Sequence, residues 1–160
     1  KITTYRRLSE SILKHVEGFL GKRGNSWTEK SSLPGGDIAV DGQLDLQNKI
    51  QMRYPFLTEE TIKRLVRSYG TISFDIYGDA ENIDSLGDHF GSGLYEREVK
   101  YLIREEWSRT SDDILFRRSK LGLSLSENEI KKLDLYLDDF FKPSSHSKND
   151  ELKSNMVETV

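Results

Sequence analysis

Apolar residues recur at helical spacing along most of this chain. Leu8, Ile12, Val16, Phe19 and Leu20 share one face over residues 5–20 and predict an amphipathic first helix. Gly21 and Gly24 then interrupt the pattern, and the stretch 21–40 is polar with a Leu33-Pro34-Gly35-Gly36 turn, the composition of a linker. Leu44, Leu46, Ile50 and Tyr54 predict a second helix that Pro55 must end, because the residue before a proline avoids helical backbone. Thr58 is placed to cap a third. Glu59 and Glu60 fall in its first turn, Ile62, Leu65, Val66 and Tyr69 form its buried stripe, and Gly70 stops it. Ser73 to Tyr77 predicts one short helical piece. Glycines 78, 87, 91 and 93 mark loop before a helix expected over Leu94–Trp107, with Tyr95, Val99, Leu102 and Ile103 as its stripe and Glu96–Lys100 as a favourable i,i+4 pair.

The segment Glu106 to Gly122 carries the densest set of local signals. Thr110 or Ser111 is a good N-cap, and Asp112 and Asp113 place negative charge at the positive end of the helix dipole. Ile114, Leu115 and Phe116 supply apolar surface, Arg117, Arg118 and Lys120 load the last turn, and Gly122 is expected to end it. Ser126 and Glu129 then predict a capping box for a final helix with Ile130, Leu133, Leu137, Phe140 and Phe141 on its apolar face. No long alternating stretch of β-branched residues occurs. The pattern therefore predicts an all-α fold of about six helices, with a polar, aperiodic tail at 143–160 that is expected to be mobile or weakly docked.

Composition narrows the function classes. A chain of 160 residues can bury enough surface for one real core, and 35% hydrophobic against 32% charged residues describes a well-solvated, helix-rich chain. The absence of cysteine excludes disulfides and thiolate metal sites. A net charge of −3 gives no electrostatic reason to expect nucleic acid as a partner. No apolar run approaches the ~18 residues that a spanning helix needs. The chain has no signal peptide and does not begin with methionine, which suits an internal fragment of a longer protein. His15, His89 and His146 are far apart, without carboxylates or cysteines at ligand spacing, so none predicts a metal site. Arg109, Arg117, Arg118 and Lys120 are interleaved with Glu105, Glu106, Asp112 and Asp113, and local ion pairs account for them better than a phosphate patch does. Trp107, at the join of two helices, is expected to pack in the core or at a domain interface.

The order of residues is more specific than the pattern. The run EWSRTSDDILFRRSKLG, from Glu106 to Gly122, resembles a signature near the carboxyl end of FAD-dependent glycerol-3-phosphate dehydrogenases and the related glycerophosphate oxidases. At the other end, Lys1, Thr3, Thr4, Tyr5 and Arg6 are similar to the Gly-Gly-Lys-x-Thr-Thr-Tyr-Arg stretch that closes the flavin domain in that family, from the lysine onward. Trp27 to Gly36, Arg53 to Glu60 and Ser85 to Ile103 also resemble family segments in family order, so the likeness covers roughly residues 1–141.

The resemblance implies a division of the chain: 1–20 as the terminal helix of an FAD-binding domain, 21–40 as linker, 41–142 as an all-helical carboxyl-terminal domain, and 143–160 as tail. It implies that Lys1, Ile2 and Thr3 lie beside the flavin in the full-length protein, with Lys1 near the substrate phosphate. On their own, the same residues are a cap on a surface helix, and this chain lacks the glycine-rich fold that holds the FAD pyrophosphate. The family oxidises sn-glycerol 3-phosphate to dihydroxyacetone phosphate, reducing FAD and then a membrane quinone, or oxygen in the oxidase branch. By that likeness the whole enzyme is cytoplasmic and peripheral to the inner membrane. This chain then carries no catalytic residue, binds no FAD by itself, and contributes packing against its own FAD-binding domain and contacts within a homodimer. The competing expectation is an autonomous all-α interaction module without enzymatic activity.

Overall fold

The computed structural model describes residues 2–142, and these form six α-helices and no strand. Lys1, expected beside a flavin, and the tail at 143–160 lie outside the described residues. The helices are α1 (Tyr5–Leu20), α2 (Gln43–Arg53), α3 (Glu59–Tyr69), α4 (Ser73–Tyr77), α5 (Glu96–Arg104) and α6 (Glu127–Phe141). A π-helix over Asp113–Arg118 lies between α5 and α6.

Local chemistry explains most boundaries. The Thr58 side chain accepts from the Thr61 N–H at 3.3 Å to start α3, and Gly70, at φ 57°, stops it. At the start of α6, Ser126 and Glu129 exchange backbone and side-chain hydrogen bonds, satisfying two otherwise orphaned donors. α2 ends at Arg53, two residues ahead of Pro55. The core joins Ile50 and Tyr54 from the end of α2 to Leu65 of α3, Tyr77 of α4, Leu102 of α5, Ile114 and Leu115 of the π-helix and Leu133 of α6, all of them fully enclosed.

Three features depart from the sequence pattern. α5 is shorter than the expected Leu94–Trp107 helix. At its start, Phe90 N–H donates to Leu94 C=O at 2.9 Å and His89 bridges Tyr95, so the chain is extended there. At its end, Trp107 takes a left-handed φ of 57° while Ser108 N–H reaches back to Leu102 C=O at 3.0 Å, a role glycine usually fills. Trp107 consequently projects outward, 75% exposed, and is not a core residue of this chain. Third, the segment after it winds as a π-helix, with Ser119 N–H bonded to Ile114 C=O at 2.9 Å. The wide turn buries the adjacent Ile114 and Leu115 together and leaves Phe116, Arg117 and Arg118 outward. Lys120, at φ 63°, takes the left-handed position expected of Gly122. Gly122 is needed for space instead, since a Cβ there would lie 2.5 Å from the Phe116 ring.

α1 differs from the other long helices in burying none of its residues. The chain after it folds back on it: Glu10 accepts from Ser26 Oγ at 2.7 Å and from the Thr28 hydroxyl, and Arg6 pairs with Glu10 at 3.2 Å. Further on, Gly35 meets Gly70 backbone to backbone. Thr71 N–H donates to Gly35 C=O at 3.2 Å, and a Cβ on Gly70 would fall 1.9 Å from that oxygen. The far end of the expected linker is thus seated on the end of α3.

Candidate functional site

Two places on the described surface combine polar chemistry with open space. The first is the start of α1. Ile2, Thr3 and Thr4 form a single 3-10 turn leading into the helix, Thr3 is exposed, and the Thr4 side chain makes no capping hydrogen bond. The positive end of the α1 dipole at this point has no side-chain cap from Thr4. Along the same helix Leu8, Ile12, Leu13 and Val16 are exposed to water and Phe19 is 90% exposed, an apolar face that the returning segment around Trp27 leaves largely open.

The second lies between α3, the end of α5 and the π-helix. Its floor is an ion pair. Glu98, on the buried face of α5, is 0% exposed, and its carboxylate accepts from Arg64 Nη1 at 2.6 Å, Arg64 Nη2 at 2.7 Å and Tyr69 Oη at 2.7 Å. Arg64 also donates to Gly93 C=O at 2.8 Å. Burial works against the Arg64 charge, but the Glu98 carboxylate outweighs it and holds the guanidinium's pKa above its ordinary value. Burial and the same carboxylate push the Tyr69 hydroxyl up. With three donors on one carboxylate, Glu98 anchors the Arg64 and Tyr69 side chains between α3 and α5. The sequence pattern holds one sign of this pair: a charged residue set into the apolar stripe of Tyr95, Val99, Leu102 and Ile103. Nothing in the spacing identifies Arg64 as its partner.

Above that floor a cleft of about 720 Å³ is lined by Lys63, Arg64 and Arg67 from α3 and Arg117, Arg118 and Lys120 from the π-helix and its end. The expected local ion pairs are present: Arg117 meets Asp113 at 2.7 Å and Arg118 meets Glu106 at 3.1 Å. Lys120 bonds the Phe116 carbonyl, and Arg109 lies elsewhere, 5.2 Å from the centre of the Phe141 ring. Asp113 accepts from the backbone N–H groups of Arg109 and Thr110, each at 3.0 Å, which brings its pKa down to about 2. The histidines play no part: His15 bonds its own helix at Ser11 C=O, His89 stacks 4.7 Å from Tyr95, and His146 lies outside the described residues. Among the described residues no group of His, Asp or Glu could hold a metal ion, and no helix is long and apolar enough to cross a membrane.

Residues 26–135 match the family model described as the C-terminal domain of alpha-glycerophosphate oxidase, more than half of the chain. This chain belongs to that family. Curated relatives agree: it is 42% identical over 137 residues to a glycerol-3-phosphate dehydrogenase of Pseudomonas aeruginosa and 39% identical over 137 residues to the aerobic glycerol-3-phosphate dehydrogenase of Escherichia coli, in each case covering 86% of this chain and 27% of the relative. A D-erythritol 1-phosphate dehydrogenase of Brucella abortus is 37% identical over 129 residues, covering 81% of this chain and 26% of that protein. The chain thus spans about a quarter of the length of the relatives it matches. Within this family domain, the model's match begins at residue 26, beyond the end of α1 at Leu20.

Proposed function

We propose that this chain is the carboxyl-terminal portion of an FAD-dependent sugar-alcohol phosphate dehydrogenase, with sn-glycerol 3-phosphate as substrate and quinone as electron acceptor. In this assignment α1 is the last helix of the flavin domain, 21–40 the linker and 41–142 the carboxyl-terminal domain. One observation carries the assignment: α1 is a 16-residue amphipathic helix that buries nothing and lies outside the family domain's span. A sustained apolar face is stable in water only when something covers it. The missing three-quarters of the relatives' length supplies the cover, an upstream flavin domain of the same polypeptide.

The start of α1 fits one edge of a flavin. The positive end of its helix dipole suits an anionic ring edge or phosphate, and Lys1, Ile2 and Thr3 are the residues that would contact it. FAD, when bound, would accept the hydride from the substrate carbinol. The residues of this chain would orient that group and exclude water, and none of them transfers a proton. The chain alone is therefore inactive and colourless, and the whole enzyme is a cytoplasmic protein held at the inner membrane's surface, with homodimer contacts available to the helical domain.

The test compares the chain with the polypeptide extended to its upstream coding sequence. The extended protein should purify yellow and oxidise glycerol 3-phosphate with a quinone analogue, whereas the 160-residue chain should do neither. Peroxide formation in place of quinone reduction would move it to the oxidase branch. Preference for erythritol phosphate would move it towards the Brucella relative. Absence of flavin from the extended protein would leave an autonomous interaction module using the α1 face.

A further inference from the structure

We infer that the cleft between α3 and the π-helix is a binding site for a phosphoryl group, separate from the start of α1 and independent of the assignment above. The chain as a whole is acidic, with 24 basic against 27 acidic residues, yet six cationic side chains and only Glu60 and Glu106 line this cleft. Four of the six are matched by carboxylates: Arg64 by Glu98, Lys63 by Glu59, Arg117 by Asp113 and Arg118 by Glu106. Arg67 and Lys120, on opposite walls, have no carboxylate within ion-pair distance among the described residues. An anion entering between them meets two charges without a carboxylate partner, Lys120 being bonded to the neutral Phe116 carbonyl, flanked by guanidinium groups held in ion pairs.

The backbone points to the same place. The π-helix, an uncommon wide turn found often at functional sites, is what carries Arg117 and Arg118 to this wall. Lys120 and Trp107, which bracket that segment, are two of the three non-glycine residues with left-handed backbone among the described residues. Such residues cluster where structure serves binding, because the strain must be offset elsewhere. Two cations unmatched by carboxylates on facing walls are neutralised by a dianion, a charge that a phosphate monoester carries and a single carboxylate does not. The shared chemistry is a phosphate group, either on a small molecule or on a lipid headgroup.

The experiment titrates the 160-residue chain with sodium pyrophosphate by calorimetry and by amide chemical shift, and in parallel sediments it with phosphatidic acid and phosphatidylcholine vesicles. Saturable pyrophosphate binding with shifts centred on Arg67, Ser68 and Ser119–Leu121 supports a free phosphate compound. Binding only to phosphatidic acid vesicles supports a headgroup. The double variant Arg67→Gln/Lys120→Asn should weaken whichever probe binds by about tenfold or more, the loss expected for charge-assisted hydrogen bonds. Asparagine is chosen because it tolerates the left-handed backbone. A charge-matched control, Lys14→Gln/Lys49→Gln, should bind like the parent. Absence of binding to both probes, equal loss in the control, or shifts centred away from the cleft would overturn the inference.

Discussion

α1 and α3 were written in the same pattern and have opposite fates. Each carries apolar residues at helical spacing with charges on the other side. In α3, Ile62, Leu65, Val66 and Tyr69 are all buried, whereas every residue of α1 remains unburied. Periodicity identifies a face and says nothing about what covers it. For α3 the cover is supplied by this chain; for α1 no full cover is present among the described residues, and we assign it to an upstream domain. The same substitution should therefore be costly on one helix and silent on the other until the rest of the polypeptide is present.

The largest effect is expected where the body of the domain is least forgiving. Arg64→Met leaves Glu98 as a buried, unpaired carboxylate and should cost about 3–5 kcal/mol in thermal or denaturant unfolding. Arg64→Met/Glu98→Leu removes both charges and should recover most of that loss. A double variant as unstable as the single would show that the pair's geometry, and not its charge balance, holds this region. Next comes the direct comparison of faces. Leu65→Ala should cost about 2–5 kcal/mol, and Leu8→Ala in the 160-residue chain should stay within about 0.5 kcal/mol. In the extended flavoprotein Leu8→Ala should lower both stability and bound flavin. If Leu8→Ala is as costly in the short chain as Leu65→Ala, α1 is covered from within and the proposed flavin-domain contact fails.

Trp107 sharpens the contrast in the opposite direction. Being exposed at a positive φ, it should tolerate Trp107→Gly with a gain of about 1 kcal/mol in this chain, from relief of the backbone alone. In the extended protein, a loss of stability on the same change would place the indole against another domain. The smallest effect is electrostatic. Backbone N–H groups hold the Asp113 pKa at about 2 when folded, below the ordinary carboxylate range. A depressed folded pKa gives stability that is fully present above about pH 4 and lost as pH falls towards 2. Asp113→Asn should flatten the acid limb of the stability–pH curve slightly. Glu96 and Glu129, whose pKa values are also lowered by their partners, keep part of the slope.

Much of the domain was legible because its signals are local. The Thr58 and Ser126 caps, the Pro55 and Gly70 stops and the Glu96–Lys100 pair, at 2.8 Å, all act within a turn or two of chain. What resisted was set by distant neighbours. A π-helix winds where spacing suggested an ordinary one, with Ile114 and Leu115 both enclosed by the core. Trp107, whose size argues for burial, is turned outward by the way α5 ends. The ion pairs of Arg117 and Arg118 were visible along the chain, but their meeting with Arg67 required the packing of α3. At the amino end, the expectation for Lys1, Ile2 and Thr3 rests on resemblance alone.

The contact between Gly35 and Gly70 also limits how far apart the two halves of the molecule can travel. Thr28 is tied back to α1 through Glu10 and Gly35 is fixed to the end of α3, so only residues 29–34 span the gap. The seven steps from Thr28 to Gly35 reach at most about 25 Å when fully extended. Whatever body sits on the α1 face is thus tethered on a very short leash, at an effective concentration set by geometry rather than by how much protein the cell makes. Even a weak interface between the two would stay closed most of the time. Gly35→Ala, by breaking the seat on α3, would lengthen the leash without touching either surface.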